Sequence, residues 1–129
     1  MARGHDLHQE RLAAINALGR SLSRRARSRC ELCEDSTGLQ VVEVAPVFEE
    51  PDEDRALMLC ERCRGLEKAK RLDPTELRFL EGVAWSEVLP VQLTAIRVLR
   101  RLAADEVSWA RDTLDGLWLP EEITELLDA

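Results

Sequence analysis

Four cysteines in two pairs constrain this chain more than any other feature of its sequence. Cys30 and Cys33 form one C-x-x-C pair, Cys60 and Cys63 form a second, and 26 residues separate the pairs. A two-residue spacer lets one turn present two thiolates to the same ion, and two such turns complete a tetrahedral shell around Zn²⁺. Because this shell leaves no position open, we expect one structural Zn²⁺ rather than a catalytic one.

Two other chemistries use cysteines in this way. A thioredoxin-like redox pair needs a βαβ context, which the sequence lacks, and an iron–sulfur cluster also takes four thiolates. The N-terminus shows no continuous apolar run of a secretory signal, and no segment is long and apolar enough to span a bilayer. We therefore predict a cytoplasmic protein without a membrane partner, in which a reducing environment favours metal binding over disulfides.

The order of apolar and polar residues divides the chain into three segments. Residues 1–29 predict an N-terminal helix followed by a basic stretch, residues 30–72 a four-cysteine zinc finger, and residues 73–129 a C-terminal helical unit. The predicted fold class is α+β and mostly helical, because the finger supplies only a small β-hairpin and helix that pack with a helical bundle.

Within these segments, turn and capping residues predict the individual elements. Residues 39–44 and 56–59 are short apolar runs that predict the two strands of a hairpin, and residues 61–72 predict a helix that leaves the second cysteine pair. In the last segment, helix starts are predicted at Asp73 and Ser86, with two more helices beginning near residue 106 and at residue 120.

Charge is distributed unevenly along the chain. The net charge is −7, yet residues 1–29 carry seven arginines against two acidic residues. Nucleic-acid contact is therefore one interpretation of a cluster of four arginines, although the acidic chain as a whole repels phosphate and no aromatic residue is interleaved for base stacking. The competing interpretation is a solvated helix face. The four are Arg20, Arg24, Arg25 and Arg27.

Each C-x-x-C pair predicts a turn, or zinc knuckle, at residues 30–33 and 60–63. The predicted order of knuckle, strand, loop, strand, knuckle and helix resembles the treble-clef zinc finger of HNH endonucleases. In those enzymes a histidine in a hydrophobic–x–His–hydrophobic–x–Pro segment is the general base. The matching segment here is Val41-Val42-Glu43-Val44-Ala45-Pro46, so Glu43 occupies the position of that base. The only histidines are His5 and His8, outside the finger, where a solvated helix start is expected. The resemblance thus implies the scaffold of a nuclease with a degenerate base position.

A second resemblance covers most of the chain, from about residue 28 to residue 126. The segments CELCEDSTGLQVVEVAP, LMLCERC, WSEVLPVQLTAIRVLRRL and WARDTLDGLWLPEE are similar to the PhnA family, bacterial proteins named for the alkylphosphonate operon. That family combines an N-terminal zinc finger and helical segment with a small C-terminal β-domain, and this chain resembles the finger and helical part only. The resemblance implies an association with phosphonate metabolism through gene neighbourhood rather than phosphonate chemistry.

We expect a non-enzymatic zinc-binding protein that acts as a protein-interaction module, with a protein partner or a homodimer. Nucleic-acid binding, divergent HNH-like nuclease activity that uses Glu43, and a phosphonate-associated role are the alternatives. Trp85, Trp109 and Trp118 are predicted to lie in the core, and the acidic run at residues 49–54 is predicted to be a loop without a calcium site.

Overall fold

The structure is a computed structural model that describes the backbone of residues 2–129 and the side chains of residues 7–129. It is mostly helical, with one two-stranded antiparallel sheet, as the sequence predicts. None of the helices in this part of the chain has the length and apolar character that crossing a membrane requires. The elements in chain order are α1 (Ala2–Ala26), β1 (Gln40–Glu43), a 3₁₀ turn (Glu53–Arg55), β2 (Ala56–Leu59), α2 (Glu61–Arg64), α3 (Leu80–Val83), α4 (Leu89–Ala104), α5 (Ser108–Gly116) and α6 (Glu121–Asp128).

The β-hairpin that the sequence predicts between the two cysteine pairs is present in the structure. β1 and β2 pair in antiparallel register, with Val41 opposite Met58 and Val42 opposite Leu57. Every side chain of β2 is buried, whereas β1 is half-buried and lies at the edge. Because strand side chains alternate between two faces, β2 can be buried throughout only if both faces of the hairpin are covered by helices.

α1 covers one of these faces. It continues through Gly19 to Ala26. Leu18 and Leu22 lie one helical turn apart and pack with Ala56 and Met58 in a small cluster of buried side chains. Residue 19 lies over the sheet, since a Cβ built on it would be 4.0 Å from Val41 Cγ2.

The opposite face of the hairpin packs on the C-terminal helices. One continuous core runs from the first cysteine pair through the hairpin to α6. α4 lies at its centre, and its side chains at Leu93, Ile96 and Leu99 are fully buried. The finger and the helical unit therefore share a core, and neither buries its apolar face without the other.

Three sequence predictions about helix boundaries are wrong in the same direction. The predicted helix 61–72 is a single turn, Glu61–Arg64, followed by irregular chain. Asp73 caps a run of turns rather than a helix, accepting from the backbone N–H of Thr75 at 2.9 Å. Ser86 lies before α4 and its hydroxyl accepts from the N–H of Val88, the residue that caps that helix. Local capping residues thus form turns here, because packing on α4 rather than propensity sets helix length.

Candidate metal centre

The four cysteines come together at one end of the hairpin. Their Sγ atoms all lie within 4.8 Å of one another. Cys30, Cys60 and Cys63 are buried, and Cys33 is half-buried. The Sγ atoms of Cys33 and Cys60 are 3.5 Å apart, well beyond a disulfide bond length, and all four cysteines are free. Four soft donors at this spacing form a closed set that can hold one metal ion.

The first pair is presented by a tight backbone turn. The N–H of Cys30 donates to the carbonyl of Asp35 at 2.7 Å, and the N–H of Glu34 donates back to the carbonyl of Cys30 at 2.9 Å. Glu34 adopts a φ of 70° to close this turn. The chain thereby folds over itself within six residues and directs both thiols of the C-x-x-C pair to the same side.

The second pair lies at the start of α2. Cys60 caps the helix and Cys63 lies within it, and the N–H of Arg64 donates to the carbonyl of Cys60 at 3.1 Å. A glycine at position 38, just before β1, allows the start of α2 to pass closely: its φ is 62°, and a Cβ there would be 3.3 Å from the Cβ of Glu61. Gly38 is thus favoured at this position, because a larger residue would be strained by the backbone conformation and its Cβ would require Glu61 to shift.

The thiols strongly perturb one another's ionisation. Hydrogen bonding with Cys63 lowers the pKa of Cys30 to about 4, and the same contact raises the pKa of Cys63. Burial raises the pKa of Cys60. Hydrogen bonding to Cys33 raises the pKa of the neighbouring Arg62 side chain. Several thiolates confined to so small a space repel each other, and a divalent cation is the natural compensating charge.

Glu31, inside the first C-x-x-C spacer, was not identified from the sequence as a functional residue. Its backbone N–H donates to the carbonyl of Met58, and its carboxylate accepts from the N–H of the same residue, both at 2.9 Å. The carboxylate also accepts two hydrogen bonds from Arg25 at 2.6 and 2.8 Å. Glu31 therefore ties the knuckle to the outer edge of β2 and to α1. The only sequence signal for this role is an acidic residue between Cys30 and Cys33. Solvent-exposed residues also occupy that position, so the signal does not identify a buried carboxylate.

Glu43, at the position matching the HNH base, faces α1 and is paired with Arg11. Its carboxylate accepts from the Arg11 guanidinium at 2.5 and 3.1 Å. Arg11 also donates to the carbonyls of Phe48 and Glu49. A general base needs a free oxygen within reach of a proton on substrate, and this carboxylate instead anchors the loop that follows β1.

The arginine cluster of the N-terminal segment is divided between two roles. Arg25 is half-buried and donates to Glu31 and to the carbonyls of Glu53 and Ala56. The other three, Arg20, Arg24 and Arg27, are exposed and form no ion pair within the part of the chain whose side chains are described. The cluster is thus smaller as a binding surface than the sequence suggests.

The remaining candidates lie away from the cysteines. Trp85 and Trp118 are exposed, which corrects the prediction that all three tryptophans are core; Trp109 packs at the core edge with the Arg78 guanidinium 5.2 Å from its ring. The acidic run 49–54 is a loop that ends in the 3₁₀ turn. His8 is exposed, and the side chain of His5 lies outside the described residues.

Comparison of the chain with family models, with curated proteins and with solved structures finds no match in any of the three.

Proposed function

We propose that this chain is a non-enzymatic zinc protein in which one structural Zn²⁺, held by all four cysteines, orders a treble-clef finger that serves as a protein-interaction module. The observation that carries the proposal is the convergence of four Sγ atoms within 4.8 Å. Tetrahedral zinc with Zn–S bonds of about 2.3 Å places its sulfurs about 3.8 Å apart, which is compatible with the spacing here. A cluster of several iron ions needs more room between its thiolates than this span provides.

The closed ligand set favours a structural role over a catalytic one. Catalytic zinc keeps a position for water or substrate, whereas a four-cysteine set fills the tetrahedron. Zinc, when bound, supplies a cross-link between two turns that are 26 residues apart in sequence. Glu43 is paired with Arg11, so the nuclease alternative lacks a free base at the position where the HNH resemblance would require one.

The PhnA resemblance is compatible with this proposal and adds the expectation that the finger is joined to a helical unit. The resemblance is carried by the two cysteine segments and by the tryptophan-containing segments around Trp85 and Trp109. The exposed Trp85 and Trp118, at 58% and 80% exposure, support a protein partner, since large aromatic side chains are enriched at protein interfaces.

Metal analysis combined with chelation tests the proposal. We expect one zinc per chain, and we expect a strong chelator to release it with a fall in melting temperature, because structural zinc contributes on the order of 10 kcal/mol to small fingers. Cys60→Ser should reduce zinc content, while Ser36→Cys, next to the first pair, should not increase it. A chain that contains no zinc, or that melts at the same temperature after complete metal removal, would contradict the proposed role of the metal.

A further inference from the structure

The outer edge of β1 carries backbone groups without partners among the described residues. The N–H of Val44 donates to the carbonyl of Arg55 on the other side of the hairpin at 2.7 Å. Antiparallel pairing alternates inward and outward residues, so the backbone groups of Val41 and Glu43 point away from β2. No described residue donates to or accepts from them. By contrast, Glu31 in the turn of the first cysteine pair hydrogen-bonds to Met58 at the outer edge of β2, so among the described residues β1 carries the open edge of the sheet.

A groove of about 870 Å³ lies beside this open edge, between α1 and the sheet. α1 runs antiparallel to β1, since Arg11 contacts Glu43 and residue 19 lies against Val41. The groove lining is apolar toward one end, where Leu12 is 41% exposed, and basic toward the other. Its walls therefore follow the strand edge rather than enclosing a compact ligand.

The positions of the charges define the shape of the occupant. Arg20 and Arg24 lie four residues apart on α1, a rise of about 6 Å. Side chains at i and i+2 on one face of an extended strand are separated by about 6.7 Å. From Leu12 to Arg24 the helix rises about 18 Å, which five to six extended residues span at about 3.3 Å each.

We propose that this groove binds an extended acidic segment of a partner protein, which adds to the sheet as a third strand along β1. The backbone of the segment pairs with the outward N–H and carbonyl groups of Val41 and Glu43. Two carboxylates at i and i+2 pair with Arg20 and Arg24, and an apolar side chain at the other end covers Leu12. This inference rests on the proposed role in protein interaction and names the chemistry of the partner.

The observations favour a peptide over a nucleic acid at this surface. The groove lining contains no aromatic residue for base stacking. Its two arginines lie above apolar walls and beside unpaired amide and carbonyl groups, which complement a peptide backbone. Arg25, which would extend a phosphate-binding stripe, is engaged by Glu31.

Selection from a display library of random dodecapeptides on the folded, metal-containing protein tests the inference. We expect the enriched sequences to share carboxylates at i and i+2. The selected peptide should lose about ten-fold or more in affinity when its alternate backbone nitrogens are methylated, since this removes hydrogen bonds to the strand edge.

Substitutions in the protein give an independent readout. Val41→Pro removes an outward N–H while leaving the ladder to β2 intact, because proline is tolerated at an edge strand on its solvent side. This variant and the double variant Arg20→Glu with Arg24→Glu should each weaken binding by about ten-fold or more. The matched controls Val41→Thr, which keeps the N–H, and Arg27→Glu, which lies outside the groove, should change affinity by less than about two-fold.

Three outcomes would overturn the inference: selected peptides without the acidic pattern, affinity that is indifferent to both peptide methylation and the arginine reversals, or a duplex DNA probe that competes for the groove and binds it more tightly than the peptide. A partner protein that Val41→Pro and the arginine variant still bind would refute the groove alone. A folded, zinc-containing chain that binds no protein at all would refute the proposed function as well.

Discussion

Replacing Glu31 with alanine should destabilise the protein strongly, although the residue is neither a ligand nor part of the apolar core. Its side chain is 5% exposed, and that of its partner Arg25 is 25% exposed. Removing the carboxylate leaves the N–H of Met58 without its acceptor. A buried donor left unpaired costs about 1–3 kcal/mol.

The loss of the ion pair adds to this. Arg25 keeps its hydrogen bonds to the carbonyls of Glu53 and Ala56, and its side chain is partly solvated. Losing the Arg25–Glu31 ion pair should therefore cost well below the roughly 3–5 kcal/mol of a fully buried pair. We take it as about 1 kcal/mol. Glu31→Ala should therefore lower the free energy of unfolding by about 2–4 kcal/mol.

Urea unfolding followed by far-UV circular dichroism measures this change, on variants whose metal content equals that of the unmodified protein. Glu34→Ala is the matched control, since Glu34 lies in the same turn but is exposed and its carboxylate makes no hydrogen bond to a described residue; it should change stability by less than about 0.5 kcal/mol. In a double-mutant cycle, Arg25→Ala should cost less in the Glu31→Ala background than alone. A Glu31→Ala cost below about 1 kcal/mol, or equal costs for the two glutamates, would refute the reasoning.

Two further perturbations follow from backbone contacts. Gly38→Ala should destabilise the protein by about 1–2 kcal/mol in the same urea assay, because φ is 62° and the new Cβ meets Glu61 at 3.3 Å. The control Gly82→Ala should not destabilise it, because a Cβ at residue 82 would lie in open space. Equal effects at both glycines would contradict this interpretation. Arg101→Met should cost about 1–2 kcal/mol and speed amide exchange in residues 66–70, since Arg101 donates to the carbonyls of residues 66 and 69 at 2.6 and 2.5 Å. The control Arg100→Met removes an exposed pair with the C-terminal helix and should cost less than about 1 kcal/mol; unchanged exchange in Arg101→Met would refute the role of that arginine.

The sequence was most informative where a pattern has a single physical solution. The two C-x-x-C pairs predicted the convergence of the cysteines, and the short apolar runs at residues 39–44 and 56–59 predicted the hairpin. It was least informative between residues 65 and 79, where a helix over residues 61–72 and a helix start at Asp73 are predicted and the chain instead forms turns and irregular backbone. Nothing local signals that difference, because it depends on carbonyls that face Arg101 from 32 and 35 residues away.

The roles of the arginines were the hardest to predict from the sequence. In a chain of net charge −7, clustered arginines predict a surface for an anionic partner. Arg25 of that cluster instead donates to the carbonyl of Ala56 in β2, and Arg11 and Arg97, outside the cluster, donate to carbonyls of the loop between the strands. A long side chain with several fixed donors can reach such groups from a distant element, and sequence spacing does not reveal which element that is.

The hairpin is consequently fixed by different chemistry at its two ends. At one end β1 follows the first cysteine pair and β2 leads into the second, so the four cysteines that could hold a metal ion lie at the same end of both strands. At the other end Arg11 and Arg97 hold the loop, Arg97 by a hydrogen bond of 2.6 Å to the carbonyl of Ala45. Loss of the proposed Zn²⁺ would remove only the first of these constraints. Since regions open locally according to the contacts that hold them, the cysteine end should separate first while the loop stays packed on α4, and the open edge of β1 would then lose its geometry without unfolding of the whole chain.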